Sequence, residues 1–508
     1  MTYALPINAA PRGPHILIIG GGFAGAALAI RLLEKAPHLQ LTIAEPRAEI
    51  GRGVAYDSHD SVHLVNGPAG HFSLYPDSAP DHLAEWVRAH GRDGDWTPPE
   101  GDLSEVFIPR RIFGTYVAQE FARAALTARP DTEVTHLRSE IVALRRRGAA
   151  FEAETDSGAR FLVDRVVLAT GVFPFAAPAA PIDDPRYIRN PWQSGVLDPV
   201  VGAKDVLLIG ASLSMIDMVA SLEARGLRGR YHAISRRGHL IEPRRVPEPW
   251  PPFLDPEALP RTATALLRAV NRERKALRAA GGDWQALAPA VREHILPLWL
   301  NAPRAERLRF IRHLRALWDV TLHRAAPPSF AALERARTEG RFSSRAARLL
   351  DLSSGARLTA HLRPRGGTTP EVLEVDAVID CRGHQEHDWR RVEAPLVRQL
   401  LASGLVRAHD TGFGIDATPE GQVIAQDGRV QPDLLAIGHP LRGVAWESSS
   451  IPEQRIQAAA LAERILAANG LAAEIEPELE TVEPRAAVLA EPALVSAARV
   501  GSCAGSPA

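Results

Sequence analysis

The sequence contains two cysteines, Cys381 and Cys503, and they are too far apart to form a CxxC pair. Dithiol redox chemistry at a CxxC is therefore excluded, and the scarcity of cysteine is typical of a reducing compartment, which predicts a cytoplasmic protein. No apolar run approaches the roughly 20 residues of a membrane span, so no membrane partner is expected. Residues 1–12 also lack the basic and apolar regions of a secretory signal.

Charge of either sign is not in excess, since 59 Lys and Arg face 60 Asp and Glu. A near-zero net charge gives no indication of nucleic acid as a partner. No His/Cys cluster has metal-ligand spacing, and no Gly-x-Ser-x-Gly motif occurs, which disfavours metal and acyl-enzyme chemistry. At 508 residues the chain is long enough for two or three domains.

A glycine-rich turn near the N-terminus is the most informative motif. The apolar run 15–19 ends in Gly20, Gly22 and Gly25, a small-residue helix follows, and the next apolar run ends at Glu45. Gly20 permits the tight turn, Gly22 lets the backbone approach a pyrophosphate, and Gly25 lets the helix sit close to the strand. An acid 25 residues after Gly20 is suited to accept hydrogen bonds from ribose hydroxyls, which predicts FAD.

A second unit of the same kind begins at 205. The strand pattern 205–209 ends in Gly210, Ser212 stands where the second glycine is usual, and Arg236 follows the next strand, 26 residues after Gly210. An arginine in the place of the acid can accommodate a 2′-phosphate, so this unit is suited to NADP(H). The alternative is that Arg236 and Arg237 are solvated charges. Ser212 crowds the pyrophosphate slightly.

Three further apolar runs end in glycine and predict return strands. The first precedes Thr170 and Gly171, the second spans 375–383, and the third ends at Gly438 before an Ala-rich helix. Glycine at the end of a strand exposes backbone N–H groups to a ligand. We predict an α/β fold with two Rossmann-like dinucleotide-binding domains: disordered ends at 1–13 and 471–508, FAD-binding parts at 14–195 and 376–470, and an NAD(P)-binding domain at 196–375 with a helical insertion at about 245–330.

Loop residues after the first unit are candidates for the edge of a cofactor. Two glycines flank Arg52, which predicts a turn against a ligand at Arg52 and Gly53, and Asn66 lies between His63 and His71. Scaffolded loops of this kind are where binding residues concentrate. Both histidines are more often structural. The insertion is interpreted either as a cover for the active site or as a subdomain with a packing role only.

Taken together, these motifs resemble those of flavin-containing and N-hydroxylating class B monooxygenases. The resemblance rests on Gly20-x-Gly22-x-x-Gly25, on Asn66 ahead of Tyr75-Pro76-Asp77, on Ala169-Thr170-Gly171 and on the unit at Gly210. It implies that Asn66 lies beside the flavin. A closer resemblance, over about 14–468, is to a bacterial subfamily of FAD-NAD(P)-binding proteins, carried by the segments 51–56, 107–116, 318–319 and 446–452. Ser212 and His439 depart from the wider pattern.

The resemblance implies an FAD- and NAD(P)H-dependent monooxygenase that hydroxylates a small polar substrate with O₂ through a flavin C4a-hydroperoxide, with Asn66 as the catalytic residue. One activity associated with the subfamily is conversion of urate to 5-hydroxyisourate. An anionic substrate of this kind would need Arg52, Arg110, Arg111 or a histidine near it. Two alternatives stay open: an NAD(P)H oxidase or reductase without hydroxylation, and a non-catalytic FAD-binding redox protein.

Overall fold

The computed structural model describes residues 13–94, 96–174, 182–383 and 385–471. The ends predicted to be disordered lie outside these residues, apart from Gly13 and Leu471. The strands of the described residues are β1 His15–Ile19, β2 Leu39–Ala44, β3 Thr132–Leu137, β4 Ile141–Arg147, β5 Ala150–Thr155, β6 Arg160–Val163, β7 Arg165–Leu168, β8 Phe173–Pro174, β9 Tyr187–Ile188, β10 Asp205–Ile209, β11 Arg230–Ser235, β12 Phe342–Ser353, β13 Leu358–Pro364, β14 Glu371–Val375, β15 Ala377–Asp380, β16 Gln385–Glu386, β17 Gln422–Ile424 and β18 Val430–Ala436.

The helices are arranged in two groups around these strands, with a third group between β11 and β12. They are α1 Phe23–Lys35, α2 His82–His90, α3 Arg110–Leu126, α4 Leu213–Ala224, α5 Ala263–Ala279, α6 Leu287–Arg292, α7 Ile295–Asn301, α8 Arg304–His313, α9 Arg315–Leu322, α10 Pro327–Thr338, α11 Pro395–Ala402 and α12 Ile451–Ala468. None of the helices that the structure describes is both long and apolar enough to cross a bilayer.

The first unit is built on a six-stranded sheet with the order β17-β18-β7-β1-β2-β3. β1 is parallel to both β2 and β7, and its residues are almost completely buried. Such continuous apolar runs are what a parallel sheet covered on both faces requires. Helix α1 packs against α3 and α12 on one face. β18 lies beside β7, so two distant stretches of chain make this sheet.

The second unit is a seven-stranded sheet with the order β14-β13-β12-β11-β10-β15-β9. Its parallel part repeats the arrangement of the first unit, because β10 lies between β11 and β15 just as β1 lies between β2 and β7. Helix α4 follows β10 and packs against α10. The predicted α/β fold with two Rossmann-like units is confirmed.

Two short strands lie in a different unit from the predicted one. The sequence places Tyr187–Ile188 in the first FAD-binding part and Ala377–Asp380 at the start of the second. In the structure β15 pairs with β10 and β9 pairs with β15, so both strands belong to the second sheet. The boundaries at 195 and 375 are therefore wrong for these strands. An apolar run that ends in glycine has the same pattern in either sheet, and only strand pairing assigns it.

The predicted helical insertion is present as the five short helices α5–α9, which follow an extended segment and are followed by α10. Thr262 caps α5, its side chain accepting a hydrogen bond from the N–H of Ala265 at 3.1 Å. Trp299 and Phe310 of the insertion pack against Trp446 of the first unit, with ring centroids 4.8 and 5.4 Å apart. The insertion is thereby anchored on the segment 446–452 that the sequence singled out.

Gly25 provides a test of the close contact between α1 and the turn that precedes it. A Cβ at Gly25 would lie 2.0 Å from the carbonyl oxygen of Gly20. We expect Gly25→Ala to destabilise the protein by about 1–3 kcal/mol, because a backbone atom cannot move aside cheaply. Thermal unfolding of the purified protein checks this. Gly202→Ala is the control, since a Cβ there meets nothing within 4 Å; equal melting temperatures of the two variants would contradict the expectation.

Candidate dinucleotide and substrate site

The first glycine turn is formed by backbone that leaves no room for side chains. Gly20 has φ +107°, and a Cβ on it would lie 2.3 Å from the carbonyl oxygen of Ala169 at the end of β7. A Cβ on Gly22 would meet the Cα of Gly53 at 3.5 Å, so the loop at Gly53 lies directly against the turn. Gly22 caps α1 without a side-chain hydrogen bond, which leaves the first N–H groups of the helix available to an anion.

Glu45 lies where the sequence predicts it, at the end of β2, and it is buried. Its Oε2 accepts a hydrogen bond from the N–H of Gly21 at 3.0 Å, and its Oε1 accepts from the N–H of Arg47 at 3.0 Å. Oε1 also accepts from the guanidinium of Arg47 at 3.1 Å. The carboxylate therefore holds the glycine turn in place, and Oε2 keeps a further lone pair. Its contact with a ribose stays a prediction.

Arg52 has partners other than the expected phosphate or flavin. Its guanidinium pairs with Glu49 and donates to the carbonyl of Arg111 at 3.2 Å and to the hydroxyl of Thr115 at 3.0 Å. These contacts attach the loop to the start of α3, and Arg52 is not among the residues that line the large cavity. Of the predicted pair Arg52 and Gly53, only Gly53 lies against the glycine turn.

Two more predicted elements meet the first turn, because β7 and β18 end at the same edge of the sheet as β1. The hydroxyl oxygen of Thr170 is buried without a hydrogen-bond partner among the described residues. Next to it, Gly171 has φ +66° and open space at its Cβ position. Gly438, with φ +76°, lies against Ala24 of α1. An unpartnered hydroxyl beside open space fits a bound polar ligand such as a dinucleotide.

The second glycine turn reproduces the first. Gly210 has φ +122°, and a Cβ on it would lie 2.6 Å from the carbonyl oxygen of Cys381, at the end of β15. Ser212 caps α4 in an extended conformation and its side chain makes no capping hydrogen bond. The neighbouring helix N-terminus is thus as open as that of α1. The second turn departs from the first at Ser212, as the sequence indicates, and also at Met215, which stands where the first turn has Gly25.

Arg236 and Arg237 have opposite environments. Arg237 donates to the carbonyls of Arg312 and His313 of the insertion. The side chain of Arg236 is exposed after β11, and no ion pair or hydrogen bond engages it within the part of the chain that the structure describes. Arg236 is therefore available to an external phosphate.

A cavity of about 980 Å³ lies between the two units. The first unit contributes Asn66, which is exposed to it, and His71; the second contributes Leu213 and Ser214 from the start of α4, and Gly383. Val172 after β7 and His439 after β18 also line the cavity, so the carboxyl edges of both sheets reach one space that Asn66 faces. Within the described residues, no group of three His, Cys, Asp or Glu side chains could hold a metal ion.

The two units are joined beside this cavity by buried polar contacts. Arg110 of α3 pairs with Asp217 of α4 at 2.7 Å. His63 lies 2.8 Å from the hydroxyl of Ser221 on α4, and burial lowers the pKa of its imidazole. Arg111 pairs with Asp93 at 2.8 Å. Arg110 and Arg111, expected near an anionic substrate, thus have carboxylate partners of their own.

The cavity also has a basic wall that sequence reasoning missed. It consists of Arg244, Arg292 and Arg324, from the extended segment after β11, the end of α6 and the link between α9 and α10. In the sequence these are three among many arginines, and they are 32 or more residues apart. Only the folding of the insertion brings them to one surface.

The comparisons with known proteins agree with this geometry. Residues 17–173 match a family model described as FAD-NAD(P)-binding. The matched segment contains the whole first glycine turn, Glu45, Asn66 and the strand that ends at Thr170. The predicted dinucleotide-binding character of the first unit is thereby confirmed. No curated protein sequence matches the chain.

Solved structures show the fold of the remaining chain. The ornithine N-hydroxylase of Kutzneria sp. 744, with FADred, NADP+ and L-orn in its title, has 16% identity and a TM-score of 0.59, over 90% of this chain and 100% of its own. The cadaverine monooxygenase of the Erwinia amylovora desferrioxamine pathway, bound to FAD, has 12% identity and a TM-score of 0.60, over 94% and 100%. L-lysine 6-monooxygenase from Pseudomonas syringae has 17% identity and a TM-score of 0.57, over 91% and 100%. These similarities show that the chain shares the fold of these three enzymes.

The exposed position of Arg236 generates a prediction about nucleotide choice. We expect Arg236→Ala to raise the Kd for NADPH about tenfold or more and to leave the Kd for NADH unchanged, because only NADPH carries the 2′-phosphate. Titration of the purified protein with each nucleotide measures both constants. Arg268→Gln, which removes an exposed arginine of α5, is the control. Equal losses for NADPH and NADH would favour the solvated-charge interpretation.

Proposed function

We propose that the protein is an FAD- and NADPH-dependent monooxygenase that hydroxylates a small polar molecule. The observation that carries the proposal is one cavity that reaches the carboxyl edges of both parallel sheets, since it is lined by Val172 after β7, by Leu213 at the start of α4 and by Asn66. Parallel α/β units bind dinucleotides at this edge. Each turnover would consume NADPH, a proton and O₂, place one oxygen atom in the product and release the other as water.

The residues of the first unit fit FAD. The N–H groups at the start of α1 would bind its pyrophosphate, with Gly22 and Gly53 allowing close approach. Glu45 would accept from the ribose, and the unpartnered hydroxyl of Thr170 would gain a partner. When bound, the flavin supplies hydride acceptance and reaction with O₂.

The second unit fits NADPH in the same way. The start of α4 offers N–H groups after Gly210, and Arg236 offers a guanidinium for the 2′-phosphate. Ser212 and Met215 replace the second and third glycines of the first turn. Because the start of α4 and the loops that follow β7 and β18 line the same cavity, the two nucleotides would meet there.

Asn66 would act at the reacting end of the site. Its carboxamide is exposed to the cavity and both of its N–H groups can donate to oxygen atoms. A preorganised donor of this kind stabilises developing negative charge by a few kcal/mol (about 3) in a site from which water is excluded. The segment 449–452 and the insertion enclose the same space.

Urate is the specific substrate hypothesis, and it stays a hypothesis within this proposal. The solved structures named above act on amines or amino acids by their titles. An oxidase or reductase without hydroxylation would use the same two nucleotide sites. Product formation, rather than nucleotide oxidation, separates these functions.

Coupling of nucleotide oxidation to product is the decisive measurement. We expect the purified protein to contain FAD and to oxidise NADPH faster with a true substrate, with equal oxygen uptake and little peroxide. The Asn66→Ala variant is expected to keep its FAD. Because the amide donor is gone, the product formed per NADPH oxidised should fall about tenfold or more, and peroxide should form in its place. FAD content and melting temperature serve as controls for folding.

Two outcomes would contradict the proposal. If peroxide accounts for all oxygen consumed with urate, amines and amino acids alike, the protein is an oxidase. If neither NADPH nor NADH reduces the bound flavin, it is a non-catalytic flavoprotein. Unchanged coupling in Asn66→Ala would contradict the role of that residue alone.

A further inference from the structure

Arg244 and Arg324 are held side by side by the backbone. The segment at Pro243 forms a parallel bridge with Ala325. The N–H of Arg244 donates to the carbonyl of Ala325 at 2.8 Å, and the N–H of Ala325 donates to the carbonyl of Glu242 at 3.0 Å. Arg292, at the end of α6, completes the basic wall and donates to the carbonyl of Leu322 at 3.3 Å. The wall is thus built from ordered backbone rather than from surface side chains that happen to be near.

The three positive charges have no carboxylate partner. Within the described ranges, no Asp or Glu oxygen lies within 4.0 Å of a guanidinium nitrogen of this wall. The acids of the adjoining chain are engaged elsewhere, because Glu242 and Asp283 both pair with Arg245. The Nε of Arg324 is buried without any hydrogen-bond partner in this part of the chain. Burial, together with the charges of Arg244 and Arg292, lowers the pKa of Arg324 to about 10.

Two other arginines around the cavity have carboxylate partners, whereas the Nε atoms of Arg442 and Arg455 are buried without a hydrogen-bond partner among the described residues. Arg110 pairs with Asp217, and Arg225 pairs with Asp60. Arg455 donates to the carbonyl of Ser73. Three half-buried guanidinium groups that line one wall without a carboxylate partner repel one another. A buried, unpartnered N–H donor on one of them indicates that a ligand supplies the missing acceptor.

We propose that Arg244, Arg292 and Arg324 bind an anionic group of the substrate, a carboxylate or a phosphate; this rests on the proposed function for its reference to a substrate. Arg244 extends to within 3.3 Å of His71 Nδ1, on the first-unit loop that follows Asn66. The wall therefore reaches the first-unit loop that follows Asn66, the residue predicted to lie beside the flavin. The substrate class is opposite in charge to the diamine cadaverine, which this wall would repel.

Matched probes of one length test the sign of the charge. The full-length, FAD-loaded protein is titrated at low ionic strength with glutarate, pentanediol and cadaverine, which carry five carbons each, and with inorganic phosphate and urate. Melting temperature and flavin absorbance report binding without turnover. We expect saturable binding of glutarate, phosphate or urate, and none of pentanediol or cadaverine. Arg324→Gln should weaken anion binding about tenfold or more, Arg324→Lys should weaken it less, and Arg268→Gln should leave it unchanged.

The anion bound by the basic wall could belong to a nucleotide phosphate rather than to the substrate. The same variants distinguish these two sources. We expect Arg324→Gln and Arg244→Gln to retain FAD and to bind NADPH with unchanged Kd. A loss of NADPH affinity as large as the loss of anion affinity would overturn the proposal and assign the wall to the nucleotide. Binding of cadaverine as strong as that of glutarate, or binding of no anion, would also overturn it. The remaining outcome is that an anion binds but neither it nor any other compound tested stimulates NADPH oxidation. This result would count against the proposed monooxygenase function and would leave the anion site supported.

Discussion

The structure depends on two places where backbone packs directly on backbone at the carboxyl ends of parallel strands. Gly20 lies against the carbonyl of Ala169, and Gly210 lies against the carbonyl of Cys381. Any Cβ at these glycines would overlap a carbonyl group that is itself fixed by strand pairing. Because each helix begins directly after its turn, this contact also places the N–H groups at the starts of α1 and α4, which no side chain caps, at the carboxyl edge of each sheet.

Electrostatics divides the cavity into parts with different tasks. Where the two units meet, arginines and acids are paired across the boundary, as Arg110 and Asp217 are. Such a pair satisfies both charges and holds α3 of one unit against α4 of the other. The wall formed by Arg244, Arg292 and Arg324 has no such compensation within the described residues, and so its charge is directed to a ligand. The helical insertion is in this view more than packing, since Arg292 of α6 lies within it and Arg324 directly follows α9.

Local sequence signals predicted the parts of the fold that local physics controls. Glycine spacing, apolar runs and terminal acids predicted β1, α1, β2 and their counterparts around Gly210, because steric freedom and burial are properties of neighbouring residues. The resemblance to known families extended this to the fold of the whole chain. Assignment of Ala377–Asp380 failed for the converse reason: its pattern fits either sheet, and pairing with β10 is a long-range event.

The candidate site shows the same division between features set by local sequence and features set by long-range contacts. The sequence by itself determined the two turns at Gly20 and Gly210 and the positions of Glu45 and Arg236, since each of these residues stands at a set distance from its glycine along one βαβ unit. Only the tertiary structure decided that Arg52 is engaged by Glu49 and Thr115, and that Arg110 and Arg111 are neutralised by acids. It alone also brought Arg244, Arg292 and Arg324 to one wall. Charge compensation depends on which side chains are close in space, and the spacing of residues along the chain does not determine this.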